Sequence, residues 1–153
     1  MTGGAGRVAA SVVVPTWNGA PHLPTCLESL RAQRGVRWVA PGAEPASGEE
    51  EGAAWPPTAF DVELVVVDNG STDGSLDLLA RYPEARVLAL PRNLGFARAV
   101  NAGIRASRGD ALVLLNNDTE AEPTWLAELL GALEHDPTIG AATSRIRLFD
   151  RRD

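Results

Sequence analysis

Val65-Val66-Val67-Asp68-Asn69-Gly70-Ser71-Thr72-Asp73 passes from an unbroken β-branched run straight into a cluster of turn formers. Two other segments repeat the pattern: Val12-Val13-Val14-Pro15-Thr16-Trp17-Asn18, and Leu112-Val113-Leu114-Leu115-Asn116-Asn117-Asp118. A short apolar run with no polar alternation is the signature of a strand buried on both faces, as in a parallel sheet. In an open α/β sheet, ligands bind outside the carboxyl ends of the strands. Three such ends, each rich in hydroxyls, amides and carboxylates, outline one polar ligand site.

Between these runs the apolar spacing changes to that of helices. Leu23, Cys26, Leu27 and Leu30 fall at i, i+3, i+4 and i+7, which predicts a helix over 21–33 with Gly35 placed to end it. Further strands are predicted at 11–14, 62–67, 86–90 and 111–115, and a short helix at 75–80. Phe96, Val100, Gly103 and Ile104 mark one more helix face, and Leu126, Leu129, Leu130 and Leu133 another, with Pro123 suited to its first turn. Residues 139–143 and 145–149 read as further strand material. Strands alternating with helices at this spacing imply right-handed βαβ crossovers and a mainly parallel, Rossmann-like sheet flanked by helices.

The whole length of 153 residues suits one domain, placed at 8–150. The stretch 39–59 is mostly Ala, Pro, Gly and Glu and reads as a flexible insertion, with Trp38 and Trp55 at its edges as candidates to fold it back over the site. Glu44, Glu49, Glu50 and Glu51 all lie there, so much of the formal charge of −6 belongs to that stretch and the remainder is close to neutral. A nucleic-acid footprint is not expected. All 14 basic residues are arginine, which excludes lysine Schiff-base chemistry and a Walker-type phosphate loop. One cysteine, Cys26, and two histidines exclude an internal disulfide and a histidine-rich metal site. Pro15-Thr16-Trp17-Asn18-Gly19 is not the glycine-rich turn of a dinucleotide-dependent oxidoreductase. No apolar run approaches the roughly 20 residues needed to span a bilayer, and a cytoplasmic location, with the inner face of the membrane as its alternative, is the expectation.

Four segments taken together resemble one family: Val13 to Asn18; Val67 to Asp73; Asn93-Leu94-Gly95-Phe96-Ala97 with Asn101 and Gly103; and Leu115 to Asp118. In order and spacing the chain resembles family 2 glycosyltransferases of the GT-A fold. The resemblance implies transfer of a sugar, with inversion, from a nucleoside diphosphate sugar to an acceptor hydroxyl on a glycan or lipid-linked glycan. It implies a nucleotide-sugar pocket that includes Pro15, Thr16 and Asn18. Asp68, at a strand end, can accept a hydrogen bond from the N3–H of uracil or thymine, the role the resemblance favours; the alternative is that it begins a turn with Asn69-Gly70. Ser71, Thr72 and Asp73 suit a cap for the next helix.

Gly95 allows close approach of backbone to ligand, and the N–H groups of the helix that follows favour a diphosphate. Asn93 shares that segment, and Arg92 and Arg98 are either partners for phosphate charge or solvated surface groups. Asn116-Asn117-Asp118 stands where the family carries Asp-x-Asp, so Asp118 is the expected charged ligand of Mg²⁺ or Mn²⁺, with Asn117 or water supplying neutral oxygen. Among family members the Asn-Asn-Asp and Asn-Leu-Gly-Phe-Ala segments look most like rhamnosyltransferase-type enzymes of cell-surface polysaccharide synthesis, which implies a dTDP- or UDP-sugar. The general base is expected beyond Asp153; Glu120 and Glu122 do not match its motif. The chain therefore resembles the donor-binding part of a larger enzyme, with a noncatalytic nucleotide-sugar-binding fragment as the alternative.

Overall fold

The computed structural model describes residues 7–45 and 59–148. Along them the order is β1 (Ala10–Thr16), α1 (Leu23–Arg31), β2 (Val36–Trp38), β3 (Phe60–Asp68), α2 (Ser75–Leu79), β4 (Ala85–Ala89), α3 (Phe96–Ala106), β5 (Ala111–Leu114) and α4 (Trp125–His135). Every residue of β1 and β3 is buried, as their unbroken apolar runs require. The two pair in parallel from Ala10 opposite Val62 to Thr16 opposite Asp68. β5 lies against the other edge of β1, also parallel. β2 and β4 share the remaining edge of β3 one after the other, β2 on Phe60 to Val62 and β4 on Leu64 to Asp68. The sequence reading of a mainly parallel sheet flanked by helices holds.

Strand alternation sorts the core into two layers. Val12 and Val14 of β1, with Val62, Leu64 and Val66 of β3, face α1, α2 and α4 through Leu23, Leu27, Leu30, Leu79, Leu126 and Leu130. Val13, Val65 and Val67 face the other way, against Ala99 of α3. There α3 approaches the sheet closely at Gly103, where a Cβ would lie 2.4 Å from a methyl of Val13. At the amino end of the sheet, buried Glu63 ties the α3–β5 connection down. It accepts from the Ser11 hydroxyl at 2.6 Å, from Arg108 N–H at 2.5 Å and from Arg108 Nε at 2.9 Å. Burial alone would raise the Glu63 carboxyl, but these donors outweigh it and hold the group below its usual range.

Several boundaries and one face differ from the sequence expectations. α1 starts at Leu23 with proline in its first turn, and Gly35, at φ +72, turns the chain into β2 rather than capping the helix. β2 was not expected, because three residues carry no periodicity; it exists through its pairing with β3. Phe96 is 64% exposed and not part of the buried face of α3, which is formed by Ala99, Val100 and Gly103. Pro123 precedes Thr124, the N-cap of α4. Residues 139–147 take no strand conformation, and Leu148 forms only an isolated bridge. At the start of the expected insertion, Val39 is buried and donates its N–H to the carbonyl of Val62, and the Trp38 indole donates to the Leu30 carbonyl. Trp55 and most of that stretch lie outside the described residues. Among the described residues no helix is long and apolar enough to cross a membrane.

Candidate functional site

Because β1, β3 and β5 run in parallel and in register, their polar exits emerge at one edge of the sheet. The β1 exit is stitched to the β3 exit by side chains. Asn18, the one described non-glycine residue with positive φ (49°), donates its N–H to the Ser71 hydroxyl at 2.8 Å and accepts from Thr72 N–H at 2.9 Å. Gly19 N–H reaches the Ser75 hydroxyl at 3.1 Å and Ala20 N–H reaches Asp73 at 3.0 Å. Asp73 also accepts from the N–H and hydroxyl of Ser75, at 3.1 and 2.5 Å. That hydroxyl above all, with the two N–H donors, holds the Asp73 carboxyl below its ordinary value. Asn18 and Asp73 are therefore struts of the loop framework, and Asp73 serves the start of α2 as its sequence position suggested.

The β5 exit is joined to β1 in turn. Asn117 Nδ2 donates to the Thr16 hydroxyl at 2.8 Å, leaving the Asn117 carboxamide oxygen and the exposed Asp118 carboxylate as oxygen donors beside each other in the chain. A Cβ on Gly19 would fall 2.2 Å from that hydroxyl and 2.3 Å from that nitrogen, so only glycine leaves this bridge intact.

Across the edge, the segment before α3 folds onto the β3 exit. Asn69 Nδ2 donates to Asn93 Oδ1 at 3.0 Å, Leu94 N–H donates to Asn69 Oδ1 at 2.9 Å, and Gly95 N–H to Asn93 Oδ1 at 2.9 Å. Two of the backbone donors ahead of α3 are thus used internally. Gly95 is the N-cap at φ 89° and ψ 157°, and no side chain caps the helix there. Asp68 is wholly buried. Its Oδ2 accepts from Ser71 N–H at 3.1 Å, while its Oδ1 has no partner among the described residues. A buried carboxylate oxygen without a donor carries a full desolvation penalty, and such a group calls for an explanation.

A cleft of about 460 Å³ opens between these exits. It is bordered by Pro15 to Trp17, by Asn69, by Asn93, Gly95 and Phe96 at the start of α3, and by Asn116 to Asp118. Of the residues expected to bind nucleotide-sugar or metal, Pro15, Thr16, Asn93, Gly95, Asn117 and Asp118 line it. Asn18, Asp68 and Arg98 do not. Trp17, Asn69, Phe96 and Asn116 line it without having been singled out. Phe96, 64% exposed, was hidden because an aromatic at helical spacing is read first as core, and Trp17, 55% exposed, was noted only as part of its motif.

A family model described as Glycosyl transferase family 2 matches residues 11–153. The chain belongs to that family. Similar proteins include the succinoglycan biosynthesis protein ExoO of Rhizobium meliloti, 33% identical over 120 residues that cover 77% of this chain and 28% of that protein. An N-acetylglucosaminyltransferase of Bradyrhizobium elkanii is 25% identical over 151 residues, covering 95% of this chain and 70% of its own. Among solved structures, the mannosyltransferase PcManGT from Pyrobaculum calidifontis, in complex with GDP-Man and Mn²⁺, matches with a TM-score of 0.63 at 25% identity over 91% of this chain and 36% of that one. S. aureus TarS 1-349 in complex with UDP-GlcNAc matches at 0.62 and 22% identity, over 83% of this chain and 31% of that one, a likeness of fold. The family 2 fold here is GT-A. The chain spans 28% to 31% of the length of ExoO, EpsH of Bacillus subtilis and YibD of Escherichia coli.

Proposed function

We propose that the cleft binds a nucleoside diphosphate sugar and that residues 8–150 form the donor-binding domain of an inverting glycosyltransferase. The observation that carries this is the meeting of Asp118, Asn117, Thr16 and Asn93 around one cleft at the carboxyl edge of the sheet. Family membership supports it, as does the mannosyltransferase relative seen with GDP-Man and Mn²⁺.

The unpartnered Oδ1 of Asp68 supports a base contact. A uracil or thymine N3–H would supply the missing donor, whereas cytosine offers none there, which favours a dTDP- or UDP-sugar. Asp68 is wholly buried and does not line the cleft, so this contact needs the residues around it to open. Thr16, Asn93, Gly95 and the uncapped start of α3 would hold the diphosphate, with Arg98 on the first turn of that helix as a further phosphate partner.

Oxygen donors alone are offered at Asn117 and Asp118, a set that fits Mg²⁺ or Mn²⁺. No group of three His, Cys, Asp or Glu able to hold a metal occurs among the described residues, so the diphosphate would complete the coordination. When bound, such an ion would offset charge developing on the leaving diphosphate. The acceptor oxygen would bond to the anomeric carbon as the bond to the diphosphate oxygen breaks. The acceptor proton needs a base, and Asp118 is the only acid among the described residues lining the cleft. That observation also favours a second reading, a module that binds nucleotide-sugar without transferring it.

The Asn116-Asn117-Asp118 and Asn93 to Ala97 segments support a rhamnosyltransferase-type enzyme of cell-surface polysaccharide synthesis acting on a glycan or lipid-linked glycan, and a place in the cytoplasm or at the inner face of the membrane is part of this reading. Calorimetric titration with nucleoside diphosphates, with and without Mn²⁺, tests the donor site directly.

A further inference from the structure

Asn69 and Asn93 are joined amide to amide beside the cleft, and the polarity of that junction is fixed. A backbone N–H can only donate. Leu94 N–H on Asn69 and Gly95 N–H on Asn93 therefore identify the oxygen of each carboxamide. Asn69 Nδ2 must then point its donor at Asn93 Oδ1, which is how the two sit, 3.0 Å apart. Asn93 Oδ1 already holds two donors, and a carbonyl oxygen has two lone pairs. What Asn93 retains is its Nδ2, with two N–H groups.

The surroundings make the junction rigid. Asn69 is 4% exposed, and its own N–H is bound to the Thr16 carbonyl at 2.8 Å. The next residue, Gly70, at φ +76, would place a Cβ 2.4 Å from the Cα of Arg92, so the two loops touch main chain to main chain beside the amide pair. Asn93 is exposed and lines the cleft.

We propose that Asn69 is a positioning residue that locks the Asn93 carboxamide as a two-donor group for an acceptor oxygen of the bound nucleotide. This role rests on the nucleotide reading above and adds to it a residue the reading does not use. The acceptor is a phosphate oxygen or a base carbonyl, which present the same chemistry to an N–H. An aspartate at position 69 would keep the shape but set an acceptor against Asn93 Oδ1, forcing the Asn93 amide to turn and Gly95 N–H to lose its partner.

The test is calorimetric titration with uridine diphosphate and Mn²⁺ of the wild-type chain, Asn69→Asp, Asn93→Ala and the double variant, with uridine as a second ligand. Asn69→Asp is expected to weaken uridine diphosphate by about tenfold, the effect of one misaligned charge-assisted hydrogen bond. The double variant is expected to bind no more weakly than Asn93→Ala alone, because Asn69 acts through Asn93. A loss confined to the diphosphate assigns the acceptor to phosphate; an equal loss for uridine assigns it to the base. Thermal melting reports the fold of each variant, and Asn69→Ser, which removes the amide without adding charge, is expected to lose affinity by the same route. Wild-type affinity in both Asn69 variants, or losses that add in the double variant, overturns the role of Asn69 and leaves the nucleotide reading standing. A wild-type chain that binds no nucleoside diphosphate overturns both.

Discussion

The Asn117 carboxamide donates to the Thr16 hydroxyl across 2.8 Å, joining the exits of β5 and β1 over a residue, Gly19, that has no room for a side chain. This bridge orients the turn that carries Asp118. Gly19→Ala must part the two groups, and the expected outcome is a loss of about 1–3 kcal/mol in stability, as for overpacking elsewhere, together with weakened nucleotide binding. Denaturant unfolding and calorimetry on the same variant check the two effects.

Asp68→Asn retains the shape of the buried side chain and removes its charge. It is expected to weaken uridine and thymidine diphosphates by about 1.5–3 kcal/mol, the range for hydrogen bonds to charged groups, and to relax discrimination against cytidine diphosphate. Parallel titrations with the three ligands check it. Equal losses across all bases would contradict the base contact.

Glu63 supplies a pH dependence. Its carboxyl lies below its usual value in the folded chain and returns to about 4.3 on unfolding. Its contribution is therefore fully present above about pH 4.3 and is lost as pH falls through the lower folded value. Glu63→Gln is expected to cost about 1–3 kcal/mol at neutral pH, with the gap to wild type narrowing in acid. Denaturation curves measured across that range decide it, and a gap independent of pH would contradict the network.

Burial pushes the Cys26 thiol up to about 11. Little thiolate exists at neutral pH, and the side chain, on the buried face of α1, is closed to solvent in the core. Alkylation by iodoacetamide is expected only as fast as the chain opens, so its rate should rise with denaturant in step with unfolding. Rapid labelling of the folded chain would contradict the packing.

The parts of the fold that were legible in the sequence are those that local chemistry decides. β1 and β3 are buried on both faces, so their apolar runs needed no context, and the stripe of α1 gave its inward face, as did Leu126 and Leu130 for α4, where Leu129 and Leu133 are only half-buried. What escaped depends on partners distant in sequence. β2 is three residues that become a strand only by lying on Phe60 to Val62. Of the face expected for α3, Val100 and Gly103 are buried, but Phe96 is exposed and Ala99 packs inward instead, where the sheet lies close at Gly103. In the site, Thr16, Asn93, Gly95, Asn117 and Asp118 were read from motifs and do line the cleft. Asn69 was read as a turn former because its partners stand 24 and 25 residues away. Asn18 and one oxygen of Asp68 bond to neighbouring backbone, a use that the strand-end motifs do not distinguish from ligand contact.

In the proposed function the cleft is a metal-assisted donor site organised around Asp118. Calorimetric titration of the chain with thymidine, uridine, guanosine and adenosine diphosphates, each with and without Mn²⁺, beside Asp118→Ala, tests it most directly. Asp118 is exposed at the end of a strand, so its loss should leave the fold intact. The expected result is Mn²⁺-dependent binding of a pyrimidine diphosphate that Asp118→Ala abolishes. Unchanged affinity in Asp118→Ala, or no binding by the folded wild-type chain, would contradict it.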